Sequence, residues 1–281
     1  MKINKYFFFS IGKSTLIHAF LLSVTATCLF PLFWMVRSAF MNNETIFVDK
    51  SFIPARLFFT NFATAWIKGN FGVYFLNSVI YTSCVVVGII LVSSLAAYAF
   101  SRLDFPGKNI IFYLFVAAMM IPLPGSFVPL FVLMNKLHLI NTRFGYILCM
   151  INVGLSMSIL LLKTFFDKMP NDLEDAARID GCSKLGIWWY VALPLARPAI
   201  AVIVIFNSLN VWNEYILATL LLGDTKLMPL QRGLIVFQGA NSVDYPVLMA
   251  GLTMAAVPIV MVYLAMQKHI VKGLSSGAVV G

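Results

Sequence analysis

The sequence predicts an all-α membrane protein that crosses the bilayer six times. Of its 281 residues, 60% are apolar and only 11% are Asp, Glu, Lys or Arg, whereas soluble domains carry about 45–50% apolar and about 25% charged residues. A soluble chain of this size would need far more charge to cover its surface, so a soluble enzyme is excluded. Long apolar runs recur along the chain, each near the ~20 residues that a membrane-spanning helix requires.

These apolar runs define six predicted spans in a single transmembrane domain. The first run follows three lysines and no A-x-A cleavage site follows it, so we interpret it as a retained helix rather than a signal peptide. The spans are predicted at residues 14–36, 73–98, 109–134, 144–166, 199–222 and 245–267.

Orientation follows from the distribution of basic residues between the predicted loops. An even number of spans places both termini on the same side of the membrane. With the termini in the cytoplasm, the inner segments carry more Lys and Arg than the outer segments, as the positive-inside rule requires. The formal net charge of +9 is therefore interpreted as orientation in the membrane, with a cytoplasmic loop at 167–198 and a cytoplasmic tail at 268–281.

The third predicted span contains three prolines and a glycine within Ile121–Pro129. Proline lacks a backbone N–H and clashes one turn back, so this cluster predicts a break in the helix. In hydrocarbon the freed carbonyls need a partner or a water-filled cavity. A kink packed against neighbouring helices is one interpretation; we favour a break that lines a transport path.

The inner loop 167–198 is the most charged stretch of the chain. Pro170 and Asn171 favour a helix start, acids occupy its first turn, and Gly181 favours its end. Ser183 would then cap a second short helix at 184–190. An ordinary amphipathic loop helix and a helix that docks on another protein are equally compatible with these features. The docking face would consist of Leu173, Ala176, Ala177 and Asp180.

The spacing within this loop resembles the EAA loop of ABC-importer permeases. That motif is E-A-A, three residues, G, nine residues, then I-x-L-P. Here Asp175-Ala176-Ala177 is followed after three residues by Gly181 and, nine residues later, by the stretch Val191–Pro194. The motif glutamate is an aspartate, with Glu174 directly before it, and the isoleucine is a valine. The string from Glu174 to Gly181 resembles the carbohydrate-uptake branch in particular.

The resemblance extends to the MalG-type subunit, through the six-helix layout, the broken third span, Trp212–Tyr215 and the ending at 272–279. It implies a MetI-like fold, a MalF-type partner permease, a dimer of ABC ATPase subunits, an extracytoplasmic binding protein and a sugar or oligosaccharide as substrate. It also implies that ATP and Mg are bound by the ATPase subunits, with no cofactor on this chain. The implied ATPase-coupling residues are Leu173, Glu174, Asp175, Ala176, Ala177, Asp180 and Gly181. The implied tail residues at the ATPase interface are Gly273, Ser275, Ser276 and Gly277.

A polar cluster in the fifth predicted span suggests a translocation cavity. Glu214 is the one acid well inside a span, and a charge at mid-bilayer costs about 2.5–3.5 kcal/mol on insertion scales, so it usually faces a cavity or a partner. Hydrogen bonding to the partner permease, or simply nearness to the outer membrane interface, is the alternative. We favour cavity lining over direct substrate binding. The predicted cavity residues are Asn207, Asn210, Trp212, Asn213, Glu214 and Tyr215.

Other functional classes are less compatible with the sequence. The ending Gly12-Lys13-Ser14 resembles a P-loop, but residue 7 is phenylalanine and no strand precedes it, so ATP would be handled by a partner. An ion-coupled secondary transporter of a small polar solute, our alternative, would need ionisable relays in several spans. Scattered cysteines and histidines predict no metal site, and no catalytic pair of an intramembrane enzyme is present.

Overall fold

The computed structural model describes residues 3–121, 123–237 and 243–278, and within this part the side chains of 14–121, 125–235, 237 and 243–265. The described backbone is largely α-helical. In chain order the helices are α1 (Ile3–Ser38), α2 (Thr60–Lys68), α3 (Phe71–Arg102), α4 (Lys108–Ala118), α5 (Leu123–Lys136), α6 (Arg143–Asp167), α7 (Asp172–Ile179), α8 (Lys184–Ile187), α9 (Leu193–Leu195), α10 (Arg197–Trp212), α11 (Ile216–Leu221), α12 (Leu230–Gly233) and α13 (Tyr245–Ala278).

Four of the described helical stretches are long and apolar enough to cross a membrane: Ser14–Ser38, Phe71–Arg102, Arg143–Asp167 and Tyr245–Ala265. They lie at the first, second, fourth and sixth predicted spans. The third and fifth predicted spans are interrupted, and a bent helix pair at 184–212 raises the number of candidate spans to at most five among the described residues. Six crossings therefore stay a prediction.

The third predicted span is divided between α4 and α5, as the proline cluster predicts. The first helix ends at Ala118 and the second begins at Leu123; Pro122 lies outside the described residues. Pro129, the last proline of the cluster, lies inside α5. A helix tolerates an interior proline by kinking, so only the first part of the cluster ends a helix.

The fifth predicted span is also discontinuous, which its sequence does not predict. The helix α10 ends at Trp212, and α11 begins only at Ile216. The prediction of one continuous helix over 199–222 is therefore wrong. The interruption coincides with Glu214, whose carboxylate accepts hydrogen bonds from backbone N–H groups at the start of α11.

The chain divides into two compact units, of which the first comprises residues 1–69 and 236–254. In this unit Arg37 is 4% exposed and donates hydrogen bonds to the carbonyl oxygens of Asp49 and Ser51. Hydrogen bonds from Ser51, and in smaller part the Arg37 charge, lower the pKa of the Asp49 carboxyl. These contacts hold the segment after α1 to the end of that helix.

The second unit comprises residues 70–235 and 255–281. Its core lies mainly between α3, α6 and α10. The three helices approach one another at Gly154, where an added Cβ would lie 2.3 Å from Asn207 Oδ1 and 2.4 Å from Ile89 Cδ1. Small residues permit such close helix packing inside membranes.

Candidate functional site

The helix α7 (Asp172–Ile179) forms where the loop sequence predicts it. Gly181 adopts a φ of +83°, the left-handed conformation that glycine enters without strain. The N–H of Gly181 donates to the carbonyl of Arg178, and the N–H of Cys182 donates to the carbonyl of Ala177. These two bonds are the Schellman pattern, which satisfies the last carbonyls of a helix. The predicted glycine stop is therefore confirmed.

The start of α7 differs from the prediction. Asn171 precedes the helix, but its side chain makes no capping hydrogen bond. Its Oδ1 instead accepts a hydrogen bond from Arg102 NH1. The prediction that the Asn171 side chain caps the helix is therefore wrong. The guanidinium of Arg102, at the end of α3, binds the side-chain oxygen that would otherwise accept a hydrogen bond from the start of α7.

The orientation of α7 corrects the predicted docking face. Ala177 is 9% exposed and packs in the core, and Glu174 is 3% exposed. Because Glu174 and Ala177 are three residues apart, they share the face that contacts the rest of the unit. The exposed surface carries Leu173, Asp175, Ala176, Ile179 and Asp180.

Ile179 is the most exposed apolar side chain of α7, at 86%, and the sequence interpretation did not select it. It was not selected because it does not lie on the helix face that was predicted to dock, which runs from Leu173 to Asp180. A large apolar residue between Arg178 and Asp180 on a short polar helix was the feature that could have identified it. This side chain is therefore available for contact with another protein.

The segment after Gly181 leads from the loop into the membrane. Ser183 Oγ accepts a hydrogen bond from the N–H of Gly186 at 3.2 Å, so the predicted cap of the second helix is confirmed. The helical path continues through a π-helical turn at Trp188–Ala192. It then bends by 76° between Lys184–Leu195 and Arg197–Trp212. The second helix thus reaches Leu195, further than the predicted residue 190.

A surface cavity of about 560 Å³ contains most of the polar residues predicted for the fifth span. Asn210, Asn213, Glu214 and Tyr215 line it together with apolar side chains from other helices. Those additional lining residues are Phe127, Met150, Val153, Ile216 and Leu217. Phe127 belongs to α5, directly after the break in the third span, so both interrupted spans contribute to this cavity.

Glu214 has a structural role beside its position at the cavity. Its Oε1 accepts a hydrogen bond from Leu217 N at 2.6 Å, and its Oε2 accepts one from Ala218 N at 2.9 Å. The hydroxyl of Tyr146 also donates to Oε2, at 3.1 Å. The carboxylate thus satisfies N–H groups at the start of α11, which have no partner within the helix.

Asn207 and Trp212 do not line this surface cavity, so their place in a translocation cavity stays a prediction. Asn207 Nδ2 donates to Ser158 Oγ at 3.3 Å, within the core. Trp212 Nε1 donates to the carbonyl of Ala255 at 3.2 Å. Residues spaced by three drift around a helix by about 60° per step, so Asn207 and Asn213 point in directions about 120° apart. The three asparagines therefore form no straight stripe.

The predicted tail lies partly outside the described residues. The backbone of α13 is helical through Ala278, which includes Gly273 and Gly277. The side chains of Ser275 and Ser276 are not among those described, and residues 279–281 lie outside the described backbone. The roles of Gly273, Ser275, Ser276 and Gly277 stay predictions.

The comparisons with known proteins agree with this architecture. Residues 85–276 match the family described as "Binding-protein-dependent transport system inner membrane component". The diacetylchitobiose uptake system permease protein NgcG of Streptomyces coelicolor is 33% identical, over 92% of this chain and 87% of that protein. The melibiose/raffinose/stachyose import permease protein MelC of Bacillus subtilis is 32% identical, over 96% and 98%. The crystal structure of a bacterial ABC transporter involved in the import of the acidic polysaccharide alginate matches with a TM-score of 0.79 and 27% identity, over 92% of this chain and 97% of that one.

The fold and the matches define a multi-pass protein of the cytoplasmic membrane that serves in ABC import. The chain belongs to the family of binding-protein-dependent transport system inner membrane components. It is a permease subunit, a transport component rather than an enzyme, and such subunits work with a second permease, an ATPase and a solute-binding protein. Ion-coupled secondary transport is not favoured. Among the described residues, no three His, Cys, Asp or Glu side chains converge as metal ligands.

Proposed function

We propose that this permease imports a sugar or oligosaccharide through a pore formed with a MalF-type partner permease. NgcG and MelC are similar to this chain over most of their length, and their names describe the uptake of sugars. This similarity supports a carbohydrate substrate. The cavity beside Asn210, Asn213 and Tyr215 supports it as well. Amide groups and an aromatic face provide the hydrogen bonds and stacking surface that a polyhydroxylated solute needs in passage.

The helix α7 receives the motion of a cytoplasmic ATPase in this proposal. The observation that carries it is the side chain of Ile179, which is 86% exposed near the end of α7. Leu173, at 43% exposed, and Leu185, at 68%, are further exposed apolar side chains, one before and one after Gly181. Burial of such side chains in a groove of a partner stabilises the contact by about 25 cal/mol per Å² of apolar area.

The remaining components follow from the family resemblance. Both termini would lie in the cytoplasm, with a binding protein delivering substrate at the opposite face. ATP and Mg would be bound by the dimer of ATPase subunits. The C-terminal residues 268–281, which include Gly273, Ser275, Ser276 and Gly277, would reach the interface between those subunits.

A pair of cysteine substitutions tests the ATPase contact. Ile179→Cys is expected to form a crosslink to an ATPase subunit in the assembled importer. Ile187→Cys, the same substitution at a side chain that is 0% exposed in the same loop, is the matched control and is expected to give none. Crosslinks from neither position would contradict the docking proposal. Labelling of Ile179→Cys by an impermeant thiol reagent added outside the cell would show an inverted topology.

A further inference from the structure

Arg102, the last residue of α3, contacts three consecutive segments of the chain. Its NH2 group donates to the carbonyl of Phe166, in the last turn of α6, at 2.7 Å. The same nitrogen donates to the carbonyl of Met169, in the connection between α6 and α7. Its NH1 group donates to Asn171 Oδ1, directly before α7. One guanidinium therefore joins the ends of α3 and α6 to the start of α7.

The same guanidinium neutralises the buried acid of α7. Arg102 Nε lies 3.0 Å from Glu174 Oε1, in side chains that are 12% and 4% exposed. The N–H is not aligned on this oxygen, so the contact is ionic rather than a directed hydrogen bond. Tyr98 hydroxyl donates to Oε2 at 3.4 Å. Arg178 also approaches Oε2, at 3.7 Å, but its side chain is 55% exposed, so water screens that pair.

The shape of the arginine side chain matters for this arrangement as much as its charge. A guanidinium presents five N–H donors in a rigid plane, whereas a lysine ammonium has three donors at a single point. The acceptors at Phe166, Met169 and Asn171 lie in separate segments. A point charge could neutralise Glu174 but could not hold all of these acceptors in one geometry.

The two ends of α7 differ in how they are held. At its start, Asn171 and the buried Glu174 contact Arg102 at the end of α3. At its end, Gly181 has a φ of +83° and no atom within 4 Å of an added Cβ. The first turn of the helix is therefore held by Arg102, its later residue Ala177 packs in the core, and the glycine that follows is exposed.

We propose that Arg102 is a positioning residue that fastens the coupling helix α7 to the ends of α3 and α6, so that displacement of α7 displaces these two spans. This inference rests on the proposed function of α7 as the ATPase contact. In this proposal, the side chain that transmits the motion of α7 to the spans lies outside the EAA loop.

The test measures how firmly α7 is held, in the assembled importer in inside-out membrane vesicles. The four native cysteines are replaced by serine, and Ala177→Cys reports the inward face through its rate of reaction with a maleimide. In the otherwise unchanged chain the reaction is expected to be slow, because Ala177 is 9% exposed. Arg102→Gln is expected to raise the rate at least tenfold. Arg178→Gln, which removes the exposed partner of the same glutamate, is the matched control and is expected to change it less than twofold.

Two further variants separate positioning from simple charge pairing. Arg102→Lys keeps the positive charge and is expected to raise the labelling rate at least threefold. The exchange Arg102→Glu with Glu174→Arg restores an ion pair but cannot donate from position 102 to the carbonyls of Phe166 and Met169, so fast labelling is expected to persist. Slow labelling in both variants would show that an ion pair alone holds α7, and this result would overturn the proposal. Unchanged labelling in Arg102→Gln would also overturn it. If Arg102→Gln does not accumulate in the membrane, Arg102→Lys carries the same test.

Crosslinking from Ile179→Cys in the same vesicles separates this inference from the proposed function. Fast labelling in the Arg102 variants, with no crosslink to the ATPase in the unchanged chain, would support the fastening of α7 but contradict its coupling role. A crosslink together with unchanged labelling would support docking and contradict the role of Arg102. The two failures are therefore distinguishable.

Discussion

Replacing Gly181 by proline is expected to reduce uptake at least tenfold while leaving the permease inserted in the membrane. Proline fixes φ near −65°, whereas this residue has a φ of +83°. Proline also lacks the N–H that donates to the carbonyl of Arg178. Both changes remove the Schellman ending of α7, so the ATPase contact and the helix after it would lose their relative orientation. Uptake of the radiolabelled sugar that the cognate binding protein retains would measure the effect.

Gly181→Ala is the matched control for this prediction. An alanine Cβ would meet no atom within 4 Å, and the N–H is kept. Its cost is then limited to the strain of the left-handed conformation, about 1–2 kcal/mol. We expect this variant to keep most of the uptake. Uptake by Gly181→Pro at the unchanged level, with normal membrane content, would contradict the importance of the glycine joint.

Replacing Glu214 by alanine is expected to destabilise the permease and to abolish uptake. The carboxylate accepts hydrogen bonds from Leu217 N, Ala218 N and the Tyr146 hydroxyl. Hydrogen bonds to charged groups contribute about 1.5–3 kcal/mol each, and unpaired backbone N–H groups are especially costly where water is scarce. We expect the midpoint of thermal unfolding in detergent to fall by several degrees.

Two variants apportion the roles of Glu214. Tyr146→Phe removes only the hydroxyl donor, so a smaller loss of stability is expected. Glu214→Gln keeps one acceptor oxygen for the start of α11 but loses the charge. If Glu214→Gln restores thermal stability without restoring uptake, the charge serves the cavity. Full stability of Glu214→Ala would contradict the capping role.

Local features of the structure were predicted well from the sequence. The ending of α7 at Gly181, the cap at Ser183 and the break between α4 and α5 each depend on backbone properties of a few neighbouring residues. Glycine permits positive φ, a serine hydroxyl accepts a backbone N–H, and clustered prolines remove donors. These properties act over one turn and need no knowledge of distant packing.

The candidate cavity was predicted only in part, and the reason is geometric. Asn210, Asn213, Glu214 and Tyr215 do line one cavity, but Asn207 bonds with Ser158 in the core. A three-residue spacing predicts a common face only over a short stretch of helix. The break after Trp212 was not predicted either, because Glu214 is recognised as a cap only once its acceptor oxygens are seen beside Leu217 N.

The sequence by itself determined the class of the molecule: the apolar runs require a membrane protein, and the stretch from Asp175 to Pro194 resembles the EAA loop of ABC-importer permeases. Only the tertiary structure decided which side of that helix faces outward. Glu174, rather than the motif residue Asp175, is buried, since Arg102 reaches it from a helix some seventy residues earlier in the chain. Pairing between charges so distant in sequence depends on the packing of α3 against α6, which no local pattern encodes.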